Sequence, residues 1–368
     1  MTAKLALTDV SVREGAQLPG RSYTVEQKVE AARTIARLDP DAIEVGFPRT
    51  GDVDRAAFRE LSDLSVPTVA LCRALTSDVE LAADVGADVA NVFIPVSERQ
   101  LEHVLGESRE RATTLVVEAV EAALDHGLEP RVSLMDAFRT PPDAVKDVLD
   151  VLPVGHVTLA DTVGTATPDE VQSFLTALSL AGSDLSSIGV HFHDDLGVAT
   201  ANTLVSAYSG VEAADVSING IGERAGNASL EEVVAARLLA GTPVGVDHGE
   251  LVPIARSVAE TLGEPVAEDK ALLGARSTTH EAGIHTAAML TDPGTFEPFD
   301  PGLFGGERSL IIGRGSGRRT VAAMFEAVGE SVTDERIEVA LERLDSETQL
   351  SVGDAKETVR AVAEGVEP

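Results

Sequence analysis

From residue 5 to about residue 222, short apolar runs rich in Val, Ile and Leu recur at a fairly regular interval. Between them lie longer stretches in which apolar positions repeat at helical spacing. The short runs predict strands at LALTD (5–9), DAIEVGFP (41–48), VPTVALCR (66–73), ADVANVFIP (87–95), EPRVSLMD (129–136), GHVTLAD (155–161), IGVHFHD (188–194) and ADVSINGIG (214–222). Their entries are alike: a helix stops at Gly or Pro, a small acidic step follows, and the strand begins, as in RLDPDAIEVGFP and DVGADVANVFIP. Such βα repeats favour a closed (β/α)8 barrel, the TIM-barrel class of α/β folds, over an open doubly wound sheet. No G-x-G-x-x-G follows the first strand, which weakens a dinucleotide-binding reading further.

Past residue 242 the pattern changes. Helical periodicity at 250–263, 319–330, 333–344 and 353–364 surrounds a Gly/Pro-rich segment, DPGTFEPFDPGLFGGERSLIIGRGSGR. The organisation read from this is a barrel over 1–242, then a linker and a mainly helical C-terminal subdomain over 243–368.

Charge narrows the setting. The chain of 368 residues has 61 acidic against 29 basic side chains, a net charge of −32 spread along its length, yet 43% of its residues are hydrophobic. That describes a folded acidic globule. Concentrated counterions screen the self-repulsion of such a surface, so a salt-rich, halophilic cytoplasm is the expected setting, with an acidic mesophilic protein as the plainer alternative. The same charge argues against nucleic acid or an anionic membrane as a partner. The single cysteine, Cys72, excludes an internal disulfide, and its strand VALCRAL makes it a buried, inert thiol. Neither a signal peptide nor a membrane-length apolar run is present, and a soluble cytoplasmic protein is expected.

In a barrel, function collects at the carboxyl ends of the strands, where the βα loops surround one basin. The polar residues at those ends are Asp9, Arg13, Glu14 and Gln17 after strand 1, Glu44 after strand 2 and Arg73 after strand 3. Asp136 and Arg139 follow strand 5, Asp161 and Thr162 strand 6, HFHDD (191–195) strand 7, and NGIGERAGN (219–227) strand 8. His191 and His193 stand two apart and so share one face of their strand, with Phe192 on the other. Two imidazoles and one carboxylate from another strand make a facial set of metal ligands that leaves positions open for substrate oxygens. Glu14 is the first candidate for that carboxylate and Asp9 the second; two satisfied barrel histidines and a helix-entry charge are the plainer alternative. Asn227 could add a neutral oxygen, while the glycines of NGIGERAGN fit either close approach to a ligand or a tight turn.

Together these motifs resemble one family, the metal-dependent barrels that include isopropylmalate, homocitrate and citramalate synthases and hydroxymethylglutaryl-CoA lyase. DVSVREGAQLPG (9–20) is similar to the family's D-x-T-x-R-[DE]-G-x-Q signature. IEVGFP, LADTVGTATP (159–168), HFHDDLGVATAN (191–202) and NGIGERAGNASLEEV (219–233) follow in the family's order. THEAGIH, FEPFDPGLFG and IGRGSG resemble the region after the barrel in short homocitrate-synthase-type members. The resemblance spans roughly residues 5 to 320. It implies an acyltransferase that condenses an acyl-CoA with a 2-oxoacid in amino-acid or organic-acid biosynthesis. Its divalent metal (Mg, Mn or Zn) would be held by Glu14, His191 and His193, with Asn227 at or beside it. It further implies that Arg13 polarises the oxo group, that Thr162 binds the 2-oxoacid carboxylate, with Gln17, Arg73 and Arg139 as further substrate contacts, and that His285 of THEAGIH acts as acid/base. A homodimer is expected on the same ground.

Four positions depart from the synthase pattern. Met135 stands where a glutamate is usual, Gln100 where a histidine is, Phe296 for a tyrosine and Gly315 for a histidine. Methionine cannot accept a proton, which leaves Asp136 or His285 for that work, and Asp136 points to the opposite face of a regular strand. Two alternatives to condensation stay open at this point: a carbon–carbon lyase or aldolase of the hydroxymethylglutaryl-CoA lyase type, and a metal-binding homologue without catalysis.

Overall fold

A computed structural model describes residues 4–281, 283–312, 316–345 and 350–365 of the chain. Eight strands form a closed barrel in sequential order: β1 (Ala6–Asp9), β2 (Ala42–Gly46), β3 (Thr68–Arg73), β4 (Val89–Pro95), β5 (Glu129–Met135), β6 (Val157–Asp161), β7 (Ile188–Phe192) and β8 (Ala213–Val216). β1 pairs in parallel with β2 on one side and with β8 on the other, Ala6 opposite Ala213 and Asp9 opposite Val216, and this pairing closes the ring. The expected (β/α)8 barrel and each of its strands are therefore present. The last strand ends earlier than its apolar run suggests, because Ile218–Gly220 forms a 3-10 turn in which Asn219 is left-handed, with φ of 57°.

Two residue sets alternate along the strands. One set, including Leu7, Ile43, Cys72, Val92, Leu134, Leu159, Val190 and Val216, is almost wholly buried and apolar. It is the outward face, and amphipathic helices such as Val25–Ala36, Arg109–Asp125 and Pro168–Leu180 cover it. Phe192 belongs to it and packs on Phe138, with ring centroids 5.1 Å apart. Burial pushes the Cys72 thiol up, and Asp78 and Glu44 add to the shift, in keeping with an inert thiol. The inward set is more polar and includes Thr8, Glu44, Asn91, Arg131, Ser133, His191 and Asp215. Helix starts are specified locally: Thr24 with Gln27 and Thr167 with Glu170 form reciprocal capping boxes, each cap contributing about 1 kcal/mol.

The chain divides into two compact units, Met1–Pro265 and Val266–Pro368. The first continues past residue 242 for a physical reason. Val244 bridges Leu5, the Gly245 N–H donates to Leu5 O at 3.1 Å, and helix Leu251–Leu262 lies against Val25–Ala36. Gln27 Nε2 donates to Thr261 O at 2.9 Å, and Arg21 pairs with Glu264. Residues 243–265 thus wrap the first βα repeat. The second unit holds helices Gly283–Thr291, Arg318–Ala327, Asp334–Asp345 and Val352–Ala363 and a three-stranded sheet. Its core is built from Val321, Met324, Phe325, Ile337, Ala340, Leu344, Ala355 and Val359.

One buried ion pair fixes the loop after β2, which carries Phe47 into the barrel mouth. Lys28, 2% exposed, donates to Asp54 at 2.5 Å and to Val45 O at 3.2 Å. Asp54 in turn accepts from the Phe47 N–H at 2.8 Å and lies so close to Gly46 that a β-carbon there would be 2.7 Å from its carboxylate. Lys28→Met leaves that carboxylate buried and unpaired, and denaturant unfolding should register a loss of about 3 kcal/mol. A loss under about 1 kcal/mol, the range of exposed pairs, would contradict this role.

Candidate active site

The carboxyl ends of the strands surround a cavity of about 240 Å³ lined by Arg13, Glu14, Gln17, Phe47, Leu71, Asn91, Phe93, Ser133, Met135, Ala160, Thr162, His191, His193, Asp215 and Glu223. It is smaller than the roughly 300–1,000 Å³ of drug-sized sites, which suits a small acid.

The short helix Ser11–Gly15, which follows β1 directly, delivers Arg13 and Glu14 together. Both are buried. The Arg13 guanidinium donates to Glu14 on one side and to Glu44 of β2 on the other, and weakly to Gln17 Oε1 at 3.5 Å. Behind Glu44 a polar ladder crosses the interior: Asn91 Nδ2 donates to Glu44 at 3.0 Å and Ser133 Oγ to Asn91 Oδ1 at 2.8 Å. Arg13 is therefore held by strands 1, 2, 4 and 5 in series.

Across from it stand the histidines. His191 Nε2 lies 3.5 Å from Glu14 Oε1 and 3.4 Å from His193 Nε2. One ligand atom from each of these residues falls within 4.8 Å of the others, and among the described residues no other trio of His, Cys, Asp or Glu does so. The far nitrogen of His191, Nδ1, meets Asp215 Oδ2 at 3.1 Å. Gly189 pairs with Ala213 and Val190 with Ala214 in the β7–β8 register, which puts His191 level with Asp215. A carboxylate on the far ring nitrogen fixes tautomer and orientation and leaves Nε2 aimed inward.

Protonation follows from the same neighbours. Burial would raise the Glu14 carboxyl, but Arg13, the two histidines and the Glu223 backbone N–H hold it down at about 2. Burial, then the adjacent His191, lowers His193 to about 4. Burial alone would lower His191 too, yet its hydrogen bond to Asp215 and the Glu14 charge raise it above its ordinary value. An ionised carboxylate and a neutral imidazole are the ligand forms a divalent metal requires.

Asn227 tests the fit. The segment after β8 folds back on the end of β7: His193 bridges Asn227, the Asp194 N–H donates to Gly226 O at 2.8 Å and the Asn227 N–H to Gly220 O at 3.1 Å. This brings Asn227 Nδ2 to 3.3 Å from His191 Nε2 and leaves its Oδ1 buried with no hydrogen-bond partner. Such an oxygen beside two converging imidazoles is what a cation would satisfy after a flip of the amide. Two glycines make the fold-back possible. Gly226 has φ of +95°, and a β-carbon on Gly222 would lie 1.9 Å from Asn227 Oδ1. The glycines of NGIGERAGN thus form the tight turn that seats Asn227.

Other expected residues are placed differently. Asp9 lies on the outward side of β1; fully buried, it accepts from the Ser11 N–H and hydroxyl at 3.0 Å each, and burial pushes it up to about 7. It does not join the metal-capable trio. Thr162 lines the cavity, its hydroxyl accepting from the Asp136 N–H at 2.8 Å. Arg73 and Arg139 do not line it, because each is clamped by a carboxylate of its own loop: Arg73 by Asp78 at 2.8 Å through two nitrogens, and Arg139 by Asp136 at 2.7 Å through two. Asp136, which also accepts from Ser97, is thereby withdrawn from the basin, whereas Met135 faces it. Asp194 caps helix Ala199–Tyr208 through the Ala199 N–H at 2.7 Å, and Asp195 forms a two-pronged pair with Arg224. In the second unit His285 lies on helix Gly283–Thr291, its ring stacked on Phe296 with centroids 3.9 Å apart. Gly315 lies outside the described residues.

The chain matches the family described as HMGL-like over residues 4–258 and the one described as homocitrate synthase post-HMGL domain-like over residues 272–350. It is 38% identical to a homocitrate synthase of Methanopyrus kandleri, with 97% of this chain and 92% of that one aligned. A 2-isopropylmalate synthase of Saccharolobus solfataricus is 34% identical, covering 96% and 94%, and a putative (R)-citramalate synthase of Methanopyrus kandleri is 34% identical, covering 99% and 72%. Among solved structures, the HMG-CoA lyase of Bacillus subtilis superposes with a TM-score of 0.65 at 24% identity over 72% of this chain and 95% of that one, a likeness of fold. The chain belongs to the HMGL-like family.

Removing the ligands checks the arrangement directly. Glu14→Ala and His193→Ala should abolish stoichiometric divalent-metal binding while circular dichroism shows the barrel folded. Asp215→Ala should weaken that binding about 10–100-fold without abolishing it. Full metal retention in all three variants would refute the assignment.

Proposed function

We propose that this HMGL-like protein condenses an acyl-CoA with a 2-oxoacid, forming a carbon–carbon bond and releasing free CoA. The observation that carries this reading is the pairing, in one small cavity, of the Glu14, His191 and His193 trio with the Arg13 guanidinium. The synthase names of its relatives, at 34% identity and above over nearly the whole chain, support it. The lyase alternative rests on structures at 20–25% identity.

A divalent metal (Mg, Mn or Zn) held by Glu14, His191 and His193, with Asn227 beside it, would supply Lewis-acid polarisation of the 2-oxo group. Arg13 adds fixed N–H donors and positive charge where the carbonyl oxygen becomes an alkoxide. Its own geometry is pinned by Glu44, so little reorganisation accompanies the step. Thr162 and Gln17, both on the cavity wall, bind the carboxylate end of the acid. A carbanion at the acyl-CoA methyl carbon then attacks C2, and hydrolysis of the thioester releases CoA. Generating that carbanion requires a base. Asp136 is occupied by Arg139 and Met135 cannot serve; the resemblance of THEAGIH to the family's region after the barrel is what assigns the role to His285 in this proposal. We assign to the same reading a soluble homodimer at work in a salt-rich cytoplasm, to which the net charge of −32 is suited.

A thiol-release assay over pairs of acyl-CoA and 2-oxoacid with added Mg²⁺, Mn²⁺ or Zn²⁺ tests the activity, and no CoA release from any pair would overturn it. Arg13→Lys keeps the charge and loses the planar fork; kcat/KM should fall about 10²-fold or more. His285→Gln should lower kcat by roughly 10²–10⁴-fold while 2-oxoacid binding is retained; an unchanged kcat would remove His285 from the mechanism.

A further inference from the structure

The cavity has two chemically different halves. Its polar half is built from β1, β7 and β8 and the segments that follow them. The opposite half, from the end of β2 round to β6, presents Phe47, Leu71, Phe93, Met135 and Ala160. The Phe47 and Phe93 rings meet edge to face, with centroids 6.0 Å apart and planes at 82°, and form one side of this wall. Asn91 and Ser133 also reach the cavity: the Ser133 hydroxyl donates to Asn91 Oδ1, and Asn91 Nδ2 donates to Glu44.

Resting on the condensation reading above, we propose that the 2-oxoacid carries a short apolar side chain and not a second carboxylate, and that Met135 is a specificity-determining residue. The C1 carboxylate and C2 oxygen need the charged half, where the metal-capable trio and Arg13 lie, with Thr162 at its border, just past the end of β6 and beside β7. In a cavity of about 240 Å³, carbons from C3 onward then face the wall of Phe47, Leu71, Phe93, Met135 and Ala160, where the polar groups of Asn91 and Ser133 are already engaged in the ladder to Glu44. An alkyl group there leaves water for matching surface. A second carboxylate would lose its hydration with no cation to meet it. Arg13 is the one cationic side chain among the described residues lining the cavity, and its guanidinium already bridges Glu14 and Glu44. Glu44, just behind Asn91, adds repulsion to any anion placed against that wall. Met135 lies at the carboxyl end of β5, paired with Pro95 of β4, so its side chain sets the polarity of the wall at the mouth.

The test is calorimetric binding of pyruvate, 2-oxobutanoate, 3-methyl-2-oxobutanoate and 2-oxoglutarate to the full chain loaded with Mg²⁺ or Mn²⁺, alongside CoA release from acetyl-CoA with each acid. At least one alkyl acid should bind about tenfold or more tighter than 2-oxoglutarate, since an uncompensated charge should cost more than the 10–200-fold spread of single methylene contacts allows at its low end. Met135→Lys should move the ratio toward 2-oxoglutarate by about tenfold or more, with metal stoichiometry unchanged, and Met135→Leu should keep the wild-type order. Should Met135→Lys fail to fold, the wild-type and Met135→Leu ratios still decide. CoA release with 2-oxoglutarate preferred over every alkyl acid overturns this inference and leaves the condensation reading standing. Absence of CoA release from any pair, with the alkyl acids still bound more tightly, overturns condensation and supports the apolar specificity.

Discussion

The charge balance at the barrel mouth is the constraint around which the rest is arranged. Glu14, Asp215 and Glu223 line one small cavity, Glu44 lies just behind it, and a single guanidinium, Arg13, stands among them. Buried charges of one sign are costly unless paired. Arg13 answers part of the excess by bridging Glu14 and Glu44, and His191 answers part by bonding Asp215. What is left over is negative charge facing two imidazole nitrogens, beside an Asn227 amide whose oxygen has no partner and would face them after a flip. A divalent cation completes such a set, and the proposed chemistry begins from that completion.

The frame serves this arrangement. The apolar outward set of strand residues secures the helical coat, which frees the inward set to be polar. The inward set then forms the ladder from Ser133 through Asn91 and Glu44 to Arg13. Because each rung comes from a different strand, the position of Arg13 depends on the barrel being closed and in register. The loop after β2, held by Lys28 and Asp54, brings Phe47 to the same cavity and begins the apolar wall. Electrostatics on one side and an uncharged wall on the other thus divide a small volume into a place for reaction and a place for selection.

Much of this was legible in the chain. Short apolar runs recurring between helical stretches marked all eight strands, and the spacing of His191 and His193 put both on one face. Asp215 escaped notice because an acid in ADVSING reads as one more acidic step into a strand; only the β7–β8 register, which sets it level with His191, reveals its role. Arg73 and Arg139 looked like substrate contacts because they end strands. The local signal against that was present in Asp78, five residues on, and Asp136, three residues back, each near enough in sequence to capture its arginine. The helix expected at 250–263 is present as Leu251–Leu262, but its pattern breaks from the βα repeat and grouped it with the C-terminal region; its attachment through Val244, Gly245 and Thr261 to Leu5 and Gln27 is a long-range contact that no local pattern encodes. The short helix Gly283–Thr291 was hidden by its length and by its glycine start.

Glu14, His191 and His193 form a possible site for a divalent metal in this HMGL-like chain, while Met135 stands where the resemblance to the synthases places a glutamate. A methionine there cannot take part in proton transfer, work that the proposed mechanism gives to His285, and its side chain extends the apolar wall. The proposed condensation depends on a cation at the mouth of the barrel. The most direct test is anomalous diffraction from crystals grown with Mn²⁺ or Zn²⁺. A single strong peak bonded to Glu14, to the Nε2 atoms of His191 and His193, at about 2.0–2.2 Å for zinc, is the expected result. No peak there at full metal loading, or a peak held by other side chains, would contradict the account.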